Sequence, residues 1–138
     1  MRYLGLDVGR ATIGLALADE VLRTARALRT LRRTGEARDM AEIRKVVEEF
    51  EVTRAVVGLP LHMDGSEGAS ARLARGFAER LGAALGLPVE LHDERLSTFE
   101  AEDRLRRQGL SGRERRKVVD AEAAAVILQD WLDRGSAP

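Results

Sequence analysis

The chain has 138 residues and no cysteine, so disulfides, thiolate nucleophiles and thiolate zinc sites are all excluded. Formal net charge is zero, with 23 basic against 23 acidic residues, which argues against a uniformly basic nucleic-acid binder. That length predicts a single domain over residues 1–138 with a sizeable core. No apolar run approaches the roughly 18 residues of a spanning helix. The first residues lack a signal-peptide pattern. A soluble cytoplasmic protein with no membrane association is expected.

In chain order, residues 2–8 and 12–18 read as two strands joined by a tight turn at Gly9-Arg10-Ala11. Alternation places Leu4, Leu6 and Val8 on one face of the first strand and Tyr3, Gly5 and Asp7 on the other. Residues 24–31 read as a third, less apolar strand suited to a sheet edge. The period then becomes helical, with Met40, Ile43, Val47 and Phe50 as the predicted stripe. Residues 54–60, "RAVVGLP", predict a fourth strand, followed by a polar loop in which Asp64-Gly65 reads as a turn. Leu73, Phe77, Leu81 and Leu85 mark a second helix, stopped by Gly86-Leu87-Pro88. "VELHDE", 89–94, is the fifth strand. Ser97 with Glu100 forms a capping-box pattern for a helix ended by Gly109, and a basic loop leads to a last helix over about 118–133. Three successive strands imply an antiparallel meander, and the later β-α-β units imply parallel pairing through helical crossovers. The expected fold is therefore α/β: a mixed five-stranded sheet flanked by helices on both faces.

Three acids stand out against this pattern. Asp7 and Glu94 fall at the carboxyl ends of strands one and five, where ligands gather in open sheets. Asp120 shares a helical face with Ala123, Ala124, Ile127 and Trp131, the face that should pack on the sheet. A carboxylate on a buried face is costly unless paired or metal-bound. Three converging carboxylates would repel one another, and a divalent cation resolves this. Hard oxygen donors suit Mg²⁺ or Mn²⁺, which in pairs serve in-line phosphoryl chemistry. The same residues also fit a plainer reading, with Asp7 in a turn, Asp120 as a helix cap near the helix N-terminus, and Glu94 paired with Arg95. Asp93 stands beside Glu94 as a second candidate. His62 and His92 read as structural.

Phosphate contacts are expected from "RLRRQGLSGRERRK", residues 104–117, which holds seven cations against the single acid Glu114 and leads directly to Asp120. Arg113, Arg115, Arg116 and Lys117 are its nearest members, and Arg10 follows Asp7 in the first turn. Guanidinium forks suit phosphate oxygens. With one Trp, one Tyr and three Phe, the chain has little to stack bases on, so backbone and shape recognition is expected over base readout.

Four blocks, "GLDVGRATIGLALAD", "VVGLPLHMDGSEG", "LHDERLSTFEAE" and "RKVVDAEAAAVILQDWL", together resemble the YqgF family. That family carries two descriptions, Holliday junction resolvase and nuclease of pre-16S rRNA 5′-end processing. The resemblance implies a ribonuclease H-like fold and three acidic metal ligands, which fall on Asp7, Glu94 and Asp120. It departs from the family after Gly9, where Arg10-Ala11-Thr12 stands in place of the usual Thr-Lys or Thr-Arg, at His62 before Met-Asp-Gly, where Asn is common, and at Ala27 in place of Pro, and none of these removes an acid. A metal-dependent nuclease in ribosome biogenesis is expected, with Mg²⁺ or Mn²⁺ as cofactor and pre-rRNA as the favoured partner. Alternatives are a resolvase of branched DNA, a noncatalytic nucleic-acid-binding module, or an actin-like ATPase, which would need a second such domain. With no clear dimer seam, a monomer is favoured over a dimer.

Overall fold

The structure, a computed structural model, describes residues 1–93 and 112–134, with the backbone alone over 112–120. Strands β1 (Arg2–Val8), β2 (Thr12–Asp19) and β3 (Arg26–Arg32) are followed by α1 (Glu36–Glu49), β4 (Val52–Leu59), α2 (Ala69–Leu85), β5 (Val89–Asp93) and α3 (Gly112–Asp133). The five strands form one sheet in the order β3-β2-β1-β4-β5. β1 pairs antiparallel with β2, and β2 with β3; β1 pairs parallel with β4, and β4 with β5. The mixed sheet follows the expected scheme, with β4 lying between β1 and β5. Those two strands are thus parallel without being neighbours.

Alternation along β1 divides the core in two. Leu4, Leu6 and Val8 pack with Ile13, Leu15, Leu17 and Val57 against α1 and α2, through Ile43, Val46, Phe77 and Leu81. Tyr3 packs with Ala16, Ala18 and Val56 against α3, through Ala124, Leu128 and Trp131. Each large side chain so buried stabilises the fold by about 1.5–3 kcal/mol. In α1 the fully buried face is Asp39, Ile43 and Val46, while Met40, Val47 and Phe50 of the predicted stripe are only half-buried. α2 ends where expected, with Gly86 in the left-handed conformation (φ 65°) that favours glycine.

The last helix begins at Gly112, well before the expected 118. Arg113, Arg115, Arg116 and Lys117 are therefore helical positions, not members of a loop. Asp120 lies more than two turns inside the helix, so the capping role does not apply to it, nor does the favourable helix dipole, which fades beyond the first turn. The expected helix from Ser97 to Gly109 lies outside the described residues. No described helix is long and apolar enough to cross a membrane.

Candidate active site

Asp7 is a strand residue, half-buried, paired directly with Gly14 of β2. This sets aside the turn reading; the turn begins at Gly9, whose N–H donates to the Thr12 carbonyl at 2.9 Å. On the other side of β1 the parallel ladder pairs Leu6 with Val57, so the next step sets Gly58 beside Asp7. Gly58 in turn pairs with His92. One rung of the sheet thus reads Gly14, Asp7, Gly58, His92, all on the α3 face. The carboxylate is flanked on both sides by residues without side chains. A carboxylate is the hard oxygen donor Mg²⁺ or Mn²⁺ takes. Asp7 and His92 are two strand spacings apart, roughly 10 Å. β5 ends at Asp93, one residue past this rung. Glu94 is next in sequence and lies outside the described residues. Among the described residues no group of three acidic, His or Cys side chains closes on one point.

The third position is approached by α3, which runs antiparallel to β1. Trp131 meets Tyr3 edge-on at 5.1 Å between ring centroids. One step along β1, a Cβ built on Gly5 would lie 2.8 Å from Leu128 Cβ and 2.9 Å from the Ala124 carbonyl oxygen. Only glycine admits the helix this close. Two further strand residues reach Asp7, about 7 Å on. One further helical turn, about 5.4 Å, leads from Ala124 back to position 120. The helix therefore brings position 120 toward the Asp7 end of β1. Ala123, Ala124, Ile127 and Trp131, the residues predicted to share a face with position 120, are all buried. Asp133 is exposed and Glu122 half-buried.

Two charged clusters brace these elements. Arg33, just past β3, donates from Nε to Asp39 at 3.0 Å and from Nη1 to the Gly9 carbonyl at 3.1 Å. Its guanidinium lies over Phe77, 5.3 Å from the ring centroid. Asp39 is 2% exposed and also accepts from the Thr34 N–H at 3.2 Å. The Arg33 N–H reaches the Ala11 carbonyl at 2.9 Å. The turn after Asp7 is thus held from below by a buried ion pair. Sequence reasoning missed Asp39, although the helical spacing that isolates Asp120 also puts Asp39 in line with Ile43 and Val46. In the second cluster, His92 Nε2 lies 2.6 Å from Asp130 Oδ2, and Arg134 Nε donates to both Asp130 oxygens at 2.9 and 2.8 Å. Burial pushes the Asp130 carboxyl up, but the hydrogen bonds from His92 and Arg134 outweigh it and hold the carboxyl below its ordinary value. This ties β5 to α3. His92 is structural, as expected; His62 is exposed and its ring covers Gly68.

Arg10 is exposed at the mouth of the turn. The side chains of Arg113, Arg115, Arg116, Lys117 and Asp120 lie outside the described ones; their backbone forms the first turns of α3.

A family profile described as "RuvX: Holliday junction resolvase" matches residues 1–134. A protein of Anaeromyxobacter dehalogenans (strain 2CP-C) named "Putative pre-16S rRNA nuclease" is 71% identical over 134 residues, 97% of this chain and 98% of the relative. A protein of the same name from Myxococcus xanthus (strain DK1622) is 49% identical over 138 residues, 100% of this chain and 91% of the relative. Among solved structures, RuvC of Thermus thermophilus in complex with a Holliday junction substrate matches with a TM-score of 0.59 at 17% identity, covering 99% of this chain and 96% of that one. That likeness shows the fold, which is ribonuclease H-like. Sheet order, paired cores and a match from end to end lead to one conclusion: the chain belongs to the RuvX family, the YqgF family of the sequence resemblance.

Proposed function

We propose that this protein is a divalent-metal-dependent nuclease that hydrolyses phosphodiester bonds in processing the 5′ end of pre-16S rRNA, acting as a cytoplasmic monomer of one domain spanning residues 1–138. The observation that carries the reading is Asp7: a half-buried carboxylate at the carboxyl end of β1, flanked by Gly14 and Gly58, with α3 advancing over it. The name shared by relatives 71% and 49% identical supports the RNA substrate.

In this reading Asp7, Glu94 and Asp120 hold Mg²⁺ or Mn²⁺. The metal, when bound, supplies an activated water and charge stabilisation at the leaving oxygen. The chain's own residues do the rest. The three carboxylates fix the ligand set on three separate elements, β1, the segment after β5, and α3. Gly14 and Gly58 place no side chain of their own beside Asp7. Arg10, Arg113, Arg115, Arg116 and Lys117 take phosphate oxygens along the strand, so the substrate is held by its backbone.

The family's description favours a second reading, resolution of four-way DNA junctions. That reaction needs two symmetric cuts and hence a dimer with two sites. A panel containing an RNA spanning a pre-16S 5′ end and a four-way DNA junction, assayed in Mg²⁺ and Mn²⁺ with mass measured by light scattering, separates the two. A single cut in the RNA by a monomer supports the proposal. Paired nicks in the junction by a stable dimer, with the RNA intact, would replace it with the resolvase.

A further inference from the structure

Arg32 ends the edge strand β3 and pairs in register with Thr12 of β2. Thr12 alternates with Gly14, so Arg32 stands on the Asp7 face of the sheet, one alternation beyond the Gly14–Asp7 rung. From Asp7 this is two strands across and two residues along, about 12 Å between Cα atoms. Arg32 is exposed, as is Arg10 in the neighbouring turn. The two are held side by side: the next residue, Arg33, binds the Ala11 carbonyl through its N–H at 2.9 Å and the Gly9 carbonyl through Nη1 at 3.1 Å. The buried Asp39 fixes that guanidinium in turn.

Among the described residues, neither arginine of the pair is neutralised by a carboxylate, unlike Arg54, Arg75, Arg80 and Arg134, which pair with Glu90, Glu67, Glu36 and Asp130. What sets the pair apart from the other unpaired arginines of the edge strand is its place on the Asp7 face. The acids nearest Arg32 in sequence, Glu36 and Asp39, are already engaged by Arg80 and Arg33. Among the described residues neither Arg10 nor Arg32 has a carboxylate partner. Arg26 and Arg29 lie on the same strand, are also exposed and also have no carboxylate partner among the described residues, but they pair with Leu17 and Leu15 and so belong to the opposite face.

We infer that Arg10 and Arg32 form a phosphate subsite that grips the nucleic-acid backbone next to the bond cut at Asp7. The inference rests on the nuclease reading above and extends it to a residue outside the basic stretch before Asp120. Two guanidinium forks on a rigid turn and strand end match the oxygens of a phosphodiester, and the preorganised turn lowers the ordering cost of binding. A solvated edge that merely resists strand pairing would use Arg26 and Arg29 just as well, and that difference supplies the control.

The test measures binding of a fluorescently labelled RNA spanning a pre-16S 5′ end, in Ca²⁺, by anisotropy between about 50 and 200 mM salt. Arg32→Ala should weaken binding roughly 3- to 10-fold at low salt and lower the slope of log K against log salt by about 0.7. Arg32→Lys should keep most of the slope, and the Arg26→Ala, Arg29→Ala double variant should keep both affinity and slope. An unchanged slope in Arg32→Ala, with wild type binding normally, overturns the subsite and leaves the nuclease reading standing. An equal loss in the Arg26/Arg29 variant overturns it too, as generic surface charge. Failure of the wild type to bind nucleic acid at all overturns the nuclease reading and the subsite with it.

Discussion

Asp39→Ala should destabilise the protein and slacken the turn behind Asp7. The carboxylate is 2% exposed and the Arg33 side chain 15% exposed, so the pair is shielded from solvent. Breaking a buried pair by removing one partner costs about 3–5 kcal/mol, because the other charge is stranded. Arg33 keeps the Gly9 carbonyl and the Phe77 ring, while the Thr34 N–H loses its acceptor. The lower end of that range, about 3 kcal/mol, is therefore expected. At about 2.1 cal/mol/K of unfolding entropy per residue, a 138-residue chain loses about 10 °C in Tm for this change. The assay is thermal unfolding by circular dichroism, with the Arg33→Met, Asp39→Leu double variant alongside. Replacing both charges by apolar groups should recover most of the Tm. Activity should be low in the double variant, since the Gly9 carbonyl there loses its Arg33 anchor. A Tm within about 2 °C of wild type for Asp39→Ala would refute the shielded-pair reasoning. Full activity in the stabilised double variant would refute the positioning argument.

Gly5→Ala would set a Cβ 2.9 Å from the Ala124 carbonyl, so α3 must shift off the sheet; a loss of about 1–3 kcal/mol by denaturant titration, with reduced cleavage, is expected. Because the Asp130 carboxyl lies below its ordinary value of 3.8 in the folded state, its stabilising contribution is present above that value and lost as pH falls through the folded one. His92→Ala should therefore flatten the acid limb of stability that lies below Asp130's ordinary value of 3.8, read from Tm against pH; an identical limb in both proteins would dismiss the strut. Replacing Arg113, Arg115 and Arg116 with Ala should lower the salt slope of RNA binding by about 0.7 for each lost phosphate contact without altering the metal requirement. An unchanged slope would assign those positions to solvent.

Much of the architecture was legible because it is local. The alternation in residues 2–8, the helical stripe through Phe77 and the Gly86 stop each follow from neighbours in the chain, and the structure agrees. The start of α3 was not, because "GRERRK" offers no apolar period; the helix extends through those charges from a buried segment farther along. Asp7 could be singled out as an acid at a strand end. Its glycine flanks could not, since Gly14 and Gly58 meet it only through pairings across the sheet. Arg32 was hidden for the same reason: its face is set by its pairing with Thr12, and the irregularity between Leu15 and Ala16 puts Arg26 on the other face against the simple alternation along β3. Asp39 was legible by the arithmetic applied to Asp120, but the apolar Met40–Val47 stripe beside it drew the reading away.

The most direct test of the account is cleavage of an RNA spanning a pre-16S 5′ end by wild type, Asp7→Asn, Glu94→Gln and Asp120→Asn, in Mn²⁺ and in excess EDTA. The prediction is one metal-dependent cut by the wild type and none by any variant. Each variant should melt in EDTA at or above the wild-type temperature, because a charge repulsion has been relieved. Robust cleavage in EDTA, or full activity in Asp7→Asn, would contradict the claim that Asp7 holds the catalytic metal.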